Sequence, residues 1–319
     1  MKKIKKIVAW ASLIILLGIL ALGFMNFHSD KSVVQLKEKY AYSDSRFMEI
    51  DGAEVHYRVS GVGPPLLLLH GTAASLHTWE GWTKELKDSF QIISVDLPAF
   101  GLTGPHPKRS YLIESYVKFV EQFVQDLSLE RFHLAGNSLG GRIAWNYTLK
   151  NPTKVDRLIL IDATGFLQEK ERPLSFRLAQ HDLGAWILLR FTPRALVHQS
   201  LREVYGKDEL IEESLVDRYF EMLLRPGNRQ AFIDRARTIN AINVDRLKEI
   251  QQPTLIMWGA LDEWVNPKDA FQFKERIPNT RIANFPTAGH VPMEEIPVLT
   301  AEVARQFLSS PTAAPDSIQ

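Results

Sequence analysis

The chain has 319 residues, 45% of them hydrophobic and 24% charged, with 38 basic against 37 acidic side chains and no cysteine. A composition this near the globular average excludes a disordered, collagenous or coiled-coil chain, and the length admits one large α/β domain or two ordinary ones. The missing cysteines remove disulfides, thiolate metal sites and a thiol nucleophile, and the near-neutral total argues against nucleic acid as a partner.

The N-terminus departs from this average. Lys2, Lys3, Lys5 and Lys6 precede Ile7 to Phe27, a run of 21 residues without a charge. As a helix rising 1.5 Å per residue, that run spans about 30 Å, the thickness of a bilayer's hydrocarbon core. Basic residues on its N-terminal side put that end in the cytoplasm and everything after residue 30 across the membrane. Residues 1–30 are therefore expected to be a membrane anchor. A cleaved signal sequence is the alternative, for which Ala21-Leu22-Gly23 is a poor cleavage site. Either reading exports the rest of the chain to the periplasm or the extracellular side. The exported part keeps 34 basic and 36 acidic residues, a formal charge of −2. Residues 31–46 are polar and lack an apolar period, so they are expected to be a spacer.

From Phe47 onward, short apolar runs alternate with stretches of helical period, the pattern of a largely parallel sheet covered on both faces. Strands are expected at 47–50, 54–60, 66–69, 91–95, 132–135, 158–161, 254–258 and 281–285. Asp51-Gly52 predicts an antiparallel hairpin between the first two. Crossover helices are expected at 78–86, 113–126, 139–151, 267–276 and 296–308. The interval 163–252 reads as several helices with no strand, far longer than a crossover needs, and is expected to be a helical cap with a small core of its own. The core domain is thus 47–162 with 253–310, and 311–319 is a frayed tail.

Chemistry enters after the fifth strand, at Gly136-Asn137-Ser138-Leu139-Gly140, followed by Gly141 and a helical period. A G-x-S-x-G pentapeptide between a strand and a helix is a nucleophile elbow, whose tight turn exposes the serine hydroxyl. Such a serine needs a base and an acid to orient that base, in the chain order Ser, Asp or Glu, His. Of the nine histidines, His290 stands just past the last strand, at the sheet edge that carries Ser138, whereas His181 and His198 fall on the insert. Asp262, in the loop after the seventh strand, is the favoured acid. Asp162, directly after the sixth strand, is its rival, and spacing leaves it open. The oxyanion that forms needs backbone N–H donors. Leu139 at the helix N-terminus supplies one, and the loop His70-Gly71-Thr72-Ala73-Ala74 supplies the second through Thr72. His70 precedes the serine and is read as a structural residue.

These pieces, with Asp96-Leu97-Pro98-Ala99-Phe100-Gly101 after the fourth strand, resemble the α/β-hydrolase superfamily over Phe47 to Leu308. The closest likeness is to exported or membrane-anchored lipolytic esterases, including relatives of monoacylglycerol lipase, with a cap inserted after the sixth strand. The resemblance implies an eight-stranded α/β-hydrolase fold and a structural role for Asp96. Ala99 departs from the commoner glycine at that turn. It implies ester hydrolysis through Ser138, Asp262 and His290, with no cofactor, no metal and a small-molecule or lipid ester as substrate. Epoxide hydrolases and dehalogenases of similar fold use an aspartate where Ser138 stands. A carbon–carbon bond hydrolase of ring-cleavage products is the alternative; it would want a cation for a substrate carboxylate, from Arg142, Arg177 or Arg190. A peptidase would want Glu212 or Glu213 for an amino terminus. A non-catalytic ligand-binding relative is the alternative of another class.

Overall fold

The computed structural model describes residues 2–167 and 172–310. Its centre is one eight-stranded sheet of β1 (Ser45–Ile50), β2 (Ala53–Ser60), β3 (Pro65–Leu69), β4 (Gln91–Val95), β5 (Phe132–Asn137), β6 (Val155–Ile161), β7 (Thr254–Gly259) and β8 (Thr280–Phe285), in the order β1-β2-β4-β3-β5-β6-β7-β8. All eight expected strands are present. The turn at Asp51-Gly52 closes the antiparallel β1–β2 hairpin, β2 meets β4 antiparallel, and every later pairing is parallel.

Pleating explains why the central strands read as continuous apolar runs. Leu67, Leu69, Ile93, Val95 and Leu134 face one layer of helices, Ile113–Asp126, Leu139–Lys150 and Lys268–Arg276, while Leu66, Leu68, Ile92, Ala135 and Ile159 face the other, Glu80–Leu86 and Pro297–Ser309. Leu66 to Leu69 are wholly buried, and burying each contributes about 1.5–3 kcal/mol relative to exposure. β3 is therefore the anchor of the sheet and fixes the loop that follows it.

Between β6 and β7 the described residues form the helices Leu174–Gln180, Asp182–Arg190, Arg194–Val204, Glu213–Leu223 and Asn228–Arg237. Ala179, Ala185, Leu188, Phe232, Ile233 and Ala236 make a separate small core in this layer. Val197, Leu201, Val204, Val216, Phe220 and Leu224 instead join the core of the sheet, so this layer is fused to the sheet along one side.

The stretch expected to be a spacer is structured. Ser32 and Gln35 form a reciprocal capping box that starts a helix, Val33–Tyr40. Leu36 is buried with Leu102 and Met222, and Glu221 receives Lys31, Lys39 and the Tyr40 hydroxyl. The polar composition that suggested a loose linker is the composition of a helix lying on the cap. Before it, the helix Lys2–Met25 covers most of the run expected to cross a membrane. Part of that run lies outside the residues whose side chains are described; among the described residues no helix is long and apolar enough to cross a membrane. The expected tail, 311–319, also lies outside the described residues.

Candidate active site

β5 ends at Asn137, and Ser138 turns the chain directly into the helix Leu139–Lys150. Its backbone sits at φ 53° and ψ −112°, a conformation costing a non-glycine residue about 1–3 kcal/mol. The surroundings hold it there. The Ser138 N–H donates to Ile161 O at 3.0 Å, and the Ser138 carbonyl accepts from Arg142 N at 3.0 Å and Thr164 N at 3.1 Å. Gly140 is required for close approach, because a Cβ there would collide with the carbonyl of Leu69 at the end of β3.

The loop after β3 runs beside this turn. A Cβ on Gly71 would lie 3.2 Å from Ser138 Cβ, so the loop passes against the nucleophile candidate at Gly71. Thr72 lines the same cavity as His290, and Leu139 opens the helix, where N–H groups have no intrahelical acceptor. His70 is buried, with Nδ1 on the Gly71 carbonyl at 2.7 Å and Nε2 accepting from Leu97 N at 2.9 Å. Burial also pushes its pKa down, so both ring nitrogens of a neutral imidazole serve loop geometry. Asp96 accepts from Leu76 N, Leu102 N and His56 Nδ1. Burial alone would raise its pKa, but the hydrogen-bonded His56 ring, together with the nearby His70 and His77 rings, outweighs that and brings it to about 2. Ala99, where a glycine is commoner, is held at φ 91° by its N–H bond to Gly104 O at 2.7 Å.

His290 Nδ1 lies 2.7 Å from Asp262 Oδ2, and both residues are buried. The other Asp262 oxygen accepts from Trp264 N at 2.7 Å and Val265 N at 2.9 Å. Asp262 is thus oriented by its own loop and presents one oxygen to the imidazole. Gly259 and Gly289 let the two loops meet, since a Cβ on either would strike backbone of the other loop or of the cap. Asp162, the rival acid, accepts from Gly259 N at 2.9 Å and makes no bond to His290. Ligand atoms of Asp162, Asp262 and His290 lie within 4.8 Å of one another. Both Asp262 oxygens and His290 Nδ1 are already engaged in hydrogen bonds, so Asp262 and His290 are committed to each other and to their loop rather than forming, with Asp162, an open set of cation ligands.

Three positioning contacts were not legible in the sequence. Asn137 Nδ2 donates to His290 O at 2.9 Å and Ile161 O at 3.2 Å, tying the elbow to the histidine loop. The His290 N–H donates to Val204 O of the cap at 2.7 Å. Glu295 accepts from Gly289 N and from Gly206 N, each at 2.8 Å, bridging the histidine loop to the cap. Glu295→Gln leaves one of these N–H groups without an acceptor, which costs about 1–3 kcal/mol. We expect a lower denaturant midpoint and a kcat reduced about tenfold; an unchanged midpoint would show that the bridge is not needed.

Above the elbow, an apolar cavity is lined by Leu188, Leu196, Val197, Leu201, Leu223 and Phe232 from the cap, with Trp264 beside His290. Arg229 brings a permanent charge to the lining, but its guanidinium is engaged by Asp30 Oδ1 at 2.6 Å, Thr192 Oγ1 at 3.2 Å and His28 O at 3.1 Å. Arg142, Arg177 and Arg190 do not line the cavity; Arg142 donates to Ala241 O at 2.8 Å. Glu212 lines a different groove, with His77 and Arg218.

A family model described as alpha/beta hydrolase fold matches residues 64–297. Monoacylglycerol lipase ABHD6 of Mus musculus is 27% identical over 78% of this chain and 77% of its own length. The 2-hydroxy-6-oxo-2,4-heptadienoate hydrolase of Pseudomonas putida is 25% identical over 77% and 89%. Among solved structures, a membrane phospholipase A superposes with a TM-score of 0.72 at 24% identity, covering 95% of this chain and 98% of that one. With a family match across most of its length and the eight-stranded sheet that carries it, the chain belongs to the alpha/beta hydrolase fold family.

Proposed function

We propose that this protein hydrolyses uncharged carboxylic esters of short to medium acyl length, such as monoacylglycerols, through an acyl-enzyme on Ser138. The observation that carries this reading is the strained Ser138 turn beside an apolar cavity lined by its neighbours Asn137 and Gly71 and by His290, which is bonded to Asp262. His290 takes the serine proton as Ser138 Oγ attacks the ester carbonyl, and Asp262 holds the imidazole with Nδ1 as donor and stabilises its charge. The N–H groups of Leu139 and Thr72 receive the negative oxygen of the tetrahedral intermediate. His290 then protonates the leaving alcohol, and water repeats the sequence on the acyl-enzyme. The cavity's apolar lining suits an acyl chain, and the engaged Arg229 suits a substrate without a free carboxylate.

The N-terminal helix is part of the same proposal. It anchors the enzyme with its catalytic domain on the periplasmic or extracellular side, where lipid esters are at hand. Phe27, just past that helix, meets Phe191 of the cap, which meets Trp186. Leu183 and Trp186 leave 71% and 51% of their surface exposed on the helix Asp182–Arg190, giving the cap an apolar face beside the anchor.

Chromogenic esters of increasing acyl length, assayed beside a ring-cleavage product, test the reading. The expected result is a maximum of kcat/KM among short to medium esters, with the ring-cleavage product turned over at least about tenfold more slowly. Preferential cleavage of the ring product would establish the carbon–carbon hydrolase instead, and tight binding without turnover would mark a non-catalytic binding protein.

A further inference from the structure

Asp162 is a carboxyl group that the proposed reaction leaves without a role. It is fully buried at the end of β6, and its backbone at φ 43° is held by its N–H bond to Met257 O at 3.0 Å. One side-chain oxygen accepts from Gly259 N, while Oδ2 is buried with no conventional donor to accept from. What stands close by is the Asp262 carboxyl.

Two carboxylates this near, sealed from water, cannot both be anionic. The hydrogen bonds decide which of them keeps the proton. Asp262 receives three donors, from Trp264 N, Val265 N and His290 Nδ1, whereas Asp162 receives only Gly259 N. A carboxyl without enough donors is the one that stays protonated, and its O–H then has an acceptor in its neighbour.

We propose that Asp162 is a positioning residue that acts as a neutral carboxylic acid, donating a hydrogen bond to Asp262 and so fixing the charged carboxylate that orients His290. The surroundings agree. Burial, the Asp262 charge and the more distant Glu295 all push the Asp162 carboxyl well above the ordinary carboxylate range, against the single Gly259 N–H. The residue expected to compete with Asp262 for the acid role therefore supports it. The inference rests on the reading of Ser138 and His290 as the reacting pair, so its test includes arms that need no substrate.

Asparagine reproduces both hydrogen bonds of a neutral Asp162, accepting from Gly259 N and donating to Asp262, while leucine reproduces neither. Asp162→Asn is expected to keep kcat within about fivefold of the parent, and Asp162→Leu to lower it about tenfold to a hundredfold. At about pH 7 the infrared difference between the parent and Asp162→Asn is expected to contain the C=O stretch of a protonated carboxylic acid. Melting temperature supplies the sign of the linkage. The contribution of a protonated Asp162 is complete below the usual carboxylate pKa and is lost as pH rises towards its raised value. Relative to the parent, Asp162→Asn therefore gains stability as pH rises above the ordinary carboxylate range. Absence of the protonated band, or a loss in Asp162→Asn as deep as that in Asp262→Asn, would overturn the proposal. If no ester is turned over, the infrared and melting arms still decide it.

Discussion

Ser138→Ala is expected to lower kcat for a chromogenic ester by about five to six orders of magnitude, the scale on which a serine hydrolase loses its nucleophile. The substitution removes one oxygen and nothing that holds the turn. The bonds at this corner, to Ile161 O and from Arg142 N and Thr164 N, are all made by the backbone of residue 138. Alanine also pays the same cost as serine for φ 53°. The melting temperature is therefore expected to stay within about 4 °C of the parent, and the cavity to keep its affinity for uncleaved ester. A purified, folded Ser138→Ala protein with more than a tenth of the parent activity would remove Ser138 from the mechanism.

Asp262→Asn should come next, with kcat reduced about ten-thousandfold. The asparagine oxygen can still accept from Trp264 N and Val265 N, as Asp262 Oδ1 does now. The amide nitrogen then faces His290 Nδ1 and drives the ring into the tautomer with its proton on Nε2, where it cannot take one from Ser138. The protein should fold normally, so the loss belongs to the tautomer and not to stability. Steady-state kinetics with a circular dichroism melt distinguish the two, and a loss smaller than about tenfold would make another group the orienting acid.

Much of this was legible beforehand, for reasons that can be traced to particular residues. Leu66 to Leu69 and Leu158 to Ile161 are buried on both faces of the sheet, so they write themselves as unbroken apolar runs. Ser138 announces itself because the turn demands small neighbours at Gly136 and Gly140. Loop context favours Asp262 over Asp162, but spacing leaves both open, since both follow strands at the same edge; the placement of His290 Nδ1 separates them. Ser32 and Gln35 spelled out a capping box, but the helix after them buries one leucine, Leu36, and so carries almost no apolar period. Asn137 and Glu295 act through partners 153 and 89 residues away in the chain, a relation that local pattern does not encode.

The bridge from Glu295 to Gly206 and Gly289, with the Val204 carbonyl on the His290 N–H, bears on how such proteins can be recombined. Helical insertions on a common sheet invite treatment as exchangeable parts, cut at the two ends where they leave the core. Here the seam lies elsewhere. A chimera that replaced residues 163–252 wholesale would strip the His290 loop and Glu295 of two hydrogen-bond partnerships, Val204 O with His290 N and Gly206 N with Glu295, while leaving Ser138, Asp262 and His290 in place. A working graft has to carry 204–206 with the core, or bring its own partner for position 295. Divergence of substrate range within this architecture is accordingly freest in the helices facing the cavity and most constrained at that short junction.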